Sequence, residues 1–208
     1  VTGNWVVKLG GSLHDADCLP AWLDALAEAG VVVVPGGGPF ADQVRASQAR
    51  WGFGDGPAHA MAILGMRQYG LMLAGLCPAF ATAAEPERLA GCLALGRPAI
   101  WLPDPEALAQ AEELPASWSV TSDSLAAWLA RRIGAARVLL VKSAALPIGA
   151  VSAAQLVAEG LVDTAFPSCA AGLDAWLCRR EDHIRLGEGL QNPSRVFVPI
   201  VADGEPFP

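Results

Sequence analysis

Asn4-Trp5-Val6-Val7-Lys8-Leu9-Gly10-Gly11-Ser12-Leu13 is answered at 31–42 by Val31-Val32-Val33-Val34-Pro35-Gly36-Gly37-Gly38-Pro39-Phe40-Ala41-Asp42. Each reads as a buried strand, a glycine turn and the start of a helix. Short β-branched runs bounded by Gly and Pro suit strands covered on both faces, and glycine lets successive backbone N–H groups turn toward one point. A concave row of N–H groups at the positive end of a helix binds anions. One such turn is also an ordinary strand-to-helix connection, and neither stretch has the spacing of the P-loop or the dinucleotide fingerprint. The pairing of the two, with Lys8 leading into the first, makes a phosphate cradle. Lys8 and Lys142 are the only lysines, and arginine supplies the rest of the permanent positive charge. A compact three-donor point charge is what these two positions keep.

The chain has 208 residues, is 53% hydrophobic and carries a net charge of −7. That bounds it to one domain, 1–208, or two closely fused lobes with ample core. The acidic balance and the single tyrosine exclude a basic, aromatic nucleic-acid face. Cys18, Cys77, Cys92, Cys169 and Cys178 are scattered and odd in number, which reads as reduced thiols in a cytoplasmic protein. His14, His59 and His183 are too dispersed for a metal cluster. Asn4 and Lys8 interrupt any signal-peptide core, and the weakly polar run 69–84 is too short for a bilayer. The expectation is a soluble protein with no membrane partner.

Leu19, Trp22, Leu23 and Leu26 recur at helical spacing, and Gly30 closes that helix. Phe40, Val44 and Ser47 mark a second helix, with a glycine-rich loop at 51–57. A long helix is expected from about 58 to 76, where Met61, Leu64, Leu71, Met72, Leu73 and Leu76 cover more than one face, so it is buried or shared with a partner. Beyond it come a helix at 85–95, a short strand around Ile100 and Trp101, and a helical segment at 106–113. Thr121-Ser122-Asp123 opens another helix carrying Leu125, Trp128, Leu129 and Ile133, and one of its oxygens reads as the N-cap. Asp123 is then either that cap or a site carboxylate. The strand 138–141 ends at Lys142, and the carboxyl end of a parallel strand is where ligands bind in open sheets; the alternative is a surface lysine. Short helices at 152–159 and 170–177, a turn at 187–193 and a final apolar run at 196–201 complete the chain, with nothing assigned to the tail from Asp203. Alternating strands and helices predict an α/β fold, a three-layer αβα sandwich around a mainly parallel sheet.

Val6-Val7-Lys8-Leu9-Gly10-Gly11-Ser12, Val34-Pro35-Gly36-Gly37-Gly38-Pro39-Phe40-Ala41 and Thr121-Ser122-Asp123 resemble the three signatures of the amino acid kinase family, which includes uridylate and isopentenyl phosphate kinases. The segment from Trp118 to Leu125 is similar to the methanofuran-biosynthesis kinases acting on [5-(aminomethyl)furan-3-yl]methyl phosphate. The resemblance implies an acceptor lobe at about 1–115, a nucleotide lobe at about 116–208, ATP and Mg²⁺ as cofactors, and a homodimer paired through the long helix. It implies that Lys8 and Asp123 belong to the catalytic set, with Asp123 holding the active-site lysines; Lys142, at its strand end, is the candidate to complete the set in place of the family's later lysine. Gly10, Gly11, Ser12, Thr121 and Ser122 would bind phosphate and nucleotide; Gly36, Gly37, Gly38, His59 and Arg45 would bind the acceptor, with Arg67 a weaker candidate. The family's Thr-Asp-x-Asp-Gly turn is replaced here by Lys142-Ser143-Ala144-Ala145-Leu146, and its later Gly-Gly-Met lysine is missing. A carboxylate kinase of the same fold and a non-catalytic nucleotide-binding dimer are the alternatives.

Overall fold

The computed structural model describes residues 4–201, so the tail from Asp203 lies outside the described residues. In chain order the elements are β1 (Trp5–Leu9), a 3-10 turn (Gly11–Leu13), α1 (Leu19–Ala29), β2 (Val32–Pro35), α2 (Gly38–Trp51), α3 (Asp55–Leu76) and β3 (Ala81–Ala83). They continue as α4 (Pro86–Ala94), β4 (Ala99–Trp101), α5 (Pro105–Leu108), α6 (Ser122–Arg132), β5 (Arg137–Lys142), β6 (Val151–Ser152) and α7 (Ala153–Ala158). The last are α8 (Phe166–Ala170), β7 (Asp174–Arg179), a 3-10 turn (Arg180–Arg185), α9 (Leu186–Gln191), a 3-10 turn (Pro193–Arg195) and β8 (Val198–Val201).

The eight strands form one sheet in the order β3-β4-β2-β1-β5-β7-β8-β6. From β3 through β7 every pairing is parallel, and β8 runs antiparallel to β7. The predicted α/β sandwich is therefore what forms. Period-2 alternation divides the core into two layers. Val6, Val32, Val34, Val138 and Leu140 face the helices α4, α6 and α8, whereas Trp5, Val7, Leu9, Val33, Leu139 and Val141 face α1 and α9. Lys8 continues the Val6 row, and Lys142 continues the Val138–Leu140 row. Since β1 and β5 are neighbours, both ammonium groups emerge on the α6 side of the sheet.

Four expectations are corrected. The glycine-rich loop is confined to 52–54, because α2 extends through Trp51 and α3 already begins at Asp55. The segment at 106–113 is helical only to Leu108, its start capped by the Asp104 carboxylate. The helix expected at 170–177 is instead the short helix α8 followed by β7, a central strand; Ala, Leu and Cys suit either state, and pairing with β5 decides it. The turn at 187–193 contains the helix α9, whose Leu186 and Leu190 bury against the α1 layer. Two short strands, β3 and β6, carried no sequence signal.

Candidate active site

Both glycine turns sit at the carboxyl ends of neighbouring parallel strands, β1 and β2, and their backbones touch. A Cβ on Gly11 would lie 2.1 Å from the Gly38 nitrogen, and one on Gly36 would lie 2.3 Å from the Gly11 nitrogen. Only glycine permits that approach. Gly38 further adopts φ of +52°, which lets the chain turn straight into α2. The Gly36 N–H donates to the Leu9 carbonyl at 2.9 Å. Gly36 is thus packing between the turns and does not line the hollow; the acceptor seat expected over 36–38 narrows to Gly37 and Gly38.

Above these turns lies a hollow of about 760 Å³. Lys8, Gly10, Gly11, Ser12, Gly37, Gly38, Arg45, His59, Thr121, Ser122 and Lys142 all line it, so the structure brings together every expected site residue except Gly36 and Asp123, which sits just beneath the floor. Arg67 lies elsewhere, 3.8 Å from Asp104.

Asp123, in the first turn of α6, is 6% exposed and meets both lysines. Lys142 Nζ donates to Oδ2 at 2.7 Å, and Lys8 Nζ lies 3.0 Å from Oδ1. Burial alone would push the Asp123 carboxyl up, but the two ammonium charges outweigh it and hold the pKa below the ordinary value. Lys142 also donates to the Leu161 carbonyl at 2.6 Å, so two of its three protons are engaged. Burial, aided by the Lys8 charge, lowers the Lys142 pKa to about 8 against the pull of Asp123 and Asp163. Among the described residues Asp123 is the only ionic partner of Lys8, which leaves ammonium protons for a guest in the hollow.

The N-cap expected from an oxygen of Thr121, Ser122 or Asp123 is not made by any of them. Thr121 is the N-cap residue, yet its side chain makes no capping bond and donates to Asp163 Oδ2 at 2.7 Å. The Asp163 carboxylate accepts the backbone N–H groups of Thr121 and Ser124, and it leaves Asp123 free to face the lysines. Sequence reasoning missed this role because nothing in a lone Asp before a short helix points 42 residues back.

On the other side of the hollow, His59 is 7% exposed, and its Nε2 is buried without a hydrogen-bond partner among the described residues. Burial lowers its pKa and so favours the neutral ring, partly opposed by a hydrogen bond to the Val120 backbone. Arg45 is held by Asp42 at 3.0 Å and lies over the Trp118 ring, 4.3 Å from its centroid. Trp118 in turn donates its indole N–H to Gln48 Oε1 at 2.7 Å, tying the turn that leads into α6 to helix α2. Trp118 and Ser143, which shares a hydroxyl hydrogen bond of 2.8 Å with Ser12, also border the hollow and had no expected role. The arrangement sets two lysine ammonium groups at the floor and Arg45, with its Asp42 partner, on the wall, which suits an anionic guest. No helix among the described residues is long and apolar enough to cross a membrane.

A family model described as the amino acid kinase family matches residues 4–145. In sequence comparison no curated protein matches the chain. Among solved structures, the uridylate kinase of Archaeoglobus fulgidus superposes with a TM-score of 0.70 at 17% identity, covering 95% of this chain and 100% of that one. The UMP kinase of Bacillus anthracis gives 0.70 at 17% identity over 96% of both chains. The UMP kinase of Ureaplasma parvum gives 0.68 at 11% identity over 94% of this chain and 97% of that one. At these identities the likeness is one of fold.

Proposed function

The chain belongs to the amino acid kinase family, and on that premise we propose that it transfers the γ-phosphoryl group of Mg-ATP to a small-molecule phosphate monoester. The observation that carries this reading is the meeting of two lysines on one buried aspartate beneath two glycine turns. Phosphoryl transfer asks the protein for alignment and charge neutralisation rather than covalent chemistry. Lys8, with free ammonium protons toward the hollow, holds the travelling phosphoryl group. Lys142 offsets the charge building on the leaving β-phosphate, and Asp123 keeps both in place. The N–H groups of Gly11 and Gly37 are fixed donors on the same charge. Mg²⁺ is taken as part of the nucleotide substrate, where it would supply further charge neutralisation. The amino-terminal lobe, about 1–115, holds the acceptor, and the carboxyl-terminal lobe the nucleotide.

A phosphate acceptor is supported by the buried, unpartnered His59 Nε2 and by the Arg45 guanidinium on the same side of the hollow. Such an acceptor is already ionised near neutral pH and needs no general base. UMP, named for the kinases of like fold, is itself a phosphate monoester. The likeness of 118–125 to methanofuran-biosynthesis kinases favours [5-(aminomethyl)furan-3-yl]methyl phosphate as the acceptor. The test is ADP release across a panel of phosphate monoesters, including that compound and UMP, set against free amino acids and carboxylates. Release with a monoester supports the proposal; release with carboxylates alone, or ATP binding with no release, overturns it. His59→Ala is expected to raise the KM for the monoester roughly tenfold, the loss of one hydrogen bond to a charged group, with the KM for ATP little changed. An unaltered acceptor KM removes His59 from the acceptor site.

The protein is further read as a homodimer in the cytoplasm. Met61, Leu64 and Leu71 lie on one outward face of α3, with Leu71 54% exposed, and Leu76 at the end of the helix adds 55%. That apolar stripe fits a second copy of the same helix. Sedimentation equilibrium is expected to return twice the subunit mass, and Leu71→Glu the single mass; a monomeric wild type refutes the dimer.

A further inference from the structure

The Asp163 carboxylate gathers an unusual number of donors. Thr121 N at 2.9 Å, Thr121 Oγ1 at 2.7 Å and Ser124 N at 3.1 Å all come to it, together with the Ser124 hydroxyl and, at 3.2 Å, Ala165 N from its own loop. An ordinary cap satisfies one or two orphan N–H groups from within the same turn. Here the cap comes from 39 to 42 residues away and takes both hydroxyls as well. Between the two α6 residues bound most directly, Thr121 and Ser124, stands Asp123. Two residues before Asp163, the Leu161 carbonyl receives Lys142 Nζ. One short segment, 161–163, therefore hydrogen-bonds Lys142 directly and, through Asp163, the residues Thr121 and Ser124 on either side of Asp123.

We infer that Asp163 is a positioning residue of the phosphoryl-transfer centre: by capping α6 from a distant loop it sets Asp123 against Lys8 and Lys142. The inference rests on the kinase reading above, and it explains why Asp123, an acidic residue in the first turn of α6, is released to the lysines instead of serving the helix's own N–H groups. A negative charge at this helix end also complements the α6 dipole. The charge has a second consequence. The ionisable groups acting on Lys142 are Lys8 from β1, Asp123 from α6 and Asp163 from the segment after α7. Of these, the two carboxylates help Lys142 keep its proton. Loss of the Asp163 charge thus lowers the pKa of Lys142 below its present value of about 8.

Because the chain has two lysines, ¹³Cε-lysine NMR reads each directly, with Lys142→Arg assigning the signals. In Asp163→Asn the Lys142 resonance is expected to titrate lower by about half a pH unit or more. The kcat for ADP release is expected to fall roughly tenfold, as a misaligned centre does, with both KM values within about twofold of wild type. The descending alkaline limb of kcat should move to lower pH with the resonance. A folded Asp163→Asn protein with an unmoved Lys142 titration and unchanged kcat overturns the inference, as does a change in melting temperature alone. If Asp163→Asn does not fold, Ser124→Ala removes one donor and keeps the carboxylate. A fall in kcat of about two- to fivefold at constant KM supports the inference, and wild-type kinetics overturn it. Should the wild type release no ADP with any acceptor, the kinase reading fails, while the lysine titration still reports whether Asp163 acts on the pair.

Discussion

Lys8→Ala is expected to lower turnover by about 10²–10³-fold, roughly 3–4 kcal/mol of lost transition-state stabilisation, the size of a single preorganised electrostatic donor in a water-poor site. The fold should survive the change. Asp123 keeps its shorter contact, 2.7 Å to Lys142, so no carboxylate is left bare, and the missing side chain opens toward an existing hollow rather than a sealed core. The loss should fall on kcat more than on the KM for ATP, because in the proposed mechanism the Lys8 protons serve the group in flight. Lys8→Arg is not a remedy: a planar guanidinium cannot occupy a position 3.0 Å from Asp123 between two glycine turns that already touch. Single-turnover ADP formation with circular dichroism on the same samples checks this. A folded Lys8→Ala enzyme within about threefold of wild type sinks the mechanism.

Asp123→Ala is expected to do more damage, and to stability as well as rate. It strands two ammonium groups under the floor of the site with no counter-charge. Breaking a buried pair from one side costs about 3–5 kcal/mol. Turnover should fall by about 10³-fold or more, since both lysines lose their alignment. The pH dependence of folding separates this from simple core damage. In the wild type the Asp123 carboxyl is held below its ordinary value. Its stabilising contribution is therefore present above the unfolded carboxylate pKa near 4 and is lost as the pH falls through the lower folded value. Lys142 is lowered to about 8 already in the wild type, and Asp123→Ala removes a charge that helps it keep its proton, so its folded pKa falls further. The unfolded chain then outbinds the folded one in protons from a lower pH upward, so the rise in stability toward the unfolded lysine pKa of about 10 should begin at lower pH in the variant than in the wild type. Urea unfolding at a series of pH values measures both signs. A variant whose alkaline rise begins at the same pH as that of the wild type would show that Lys142 does not depend on Asp123.

How much of this was legible differs from residue to residue. The strand rows around Val6 and Val138 could be read from β-branched runs, and once β1 and β5 are neighbours, period-2 alternation puts Lys8 and Lys142 on the same face. Strand β7 could not be read. Asp174-Ala175-Trp176-Leu177-Cys178-Arg179 has no β-branched residue, and its Ala and Leu are good helix formers, so only its place between β5 and β8 makes it a strand. Helix α9 was hidden by its glycines, Gly187 and Gly189, the second of which sits under the Phe197 ring where a Cβ would lie 2.2 Å from Cζ.

The chain's own residues settled the local frame: strands ending in glycine turns, the hydrophobic rows between them, and two lysines kept where all other permanent positive charge is arginine. These follow from steric freedom and periodicity, which act over a few residues and are written in their order. The tertiary structure alone decided that Asp163 would cap α6, that Gly36 would pack while Gly37 and Gly38 face the hollow, and that Asp123 would answer both lysines. Hydrogen bonds and ion pairs form between groups that are near in space, and the proximity of residues 42 positions apart exists only after the sheet has chosen its strand order.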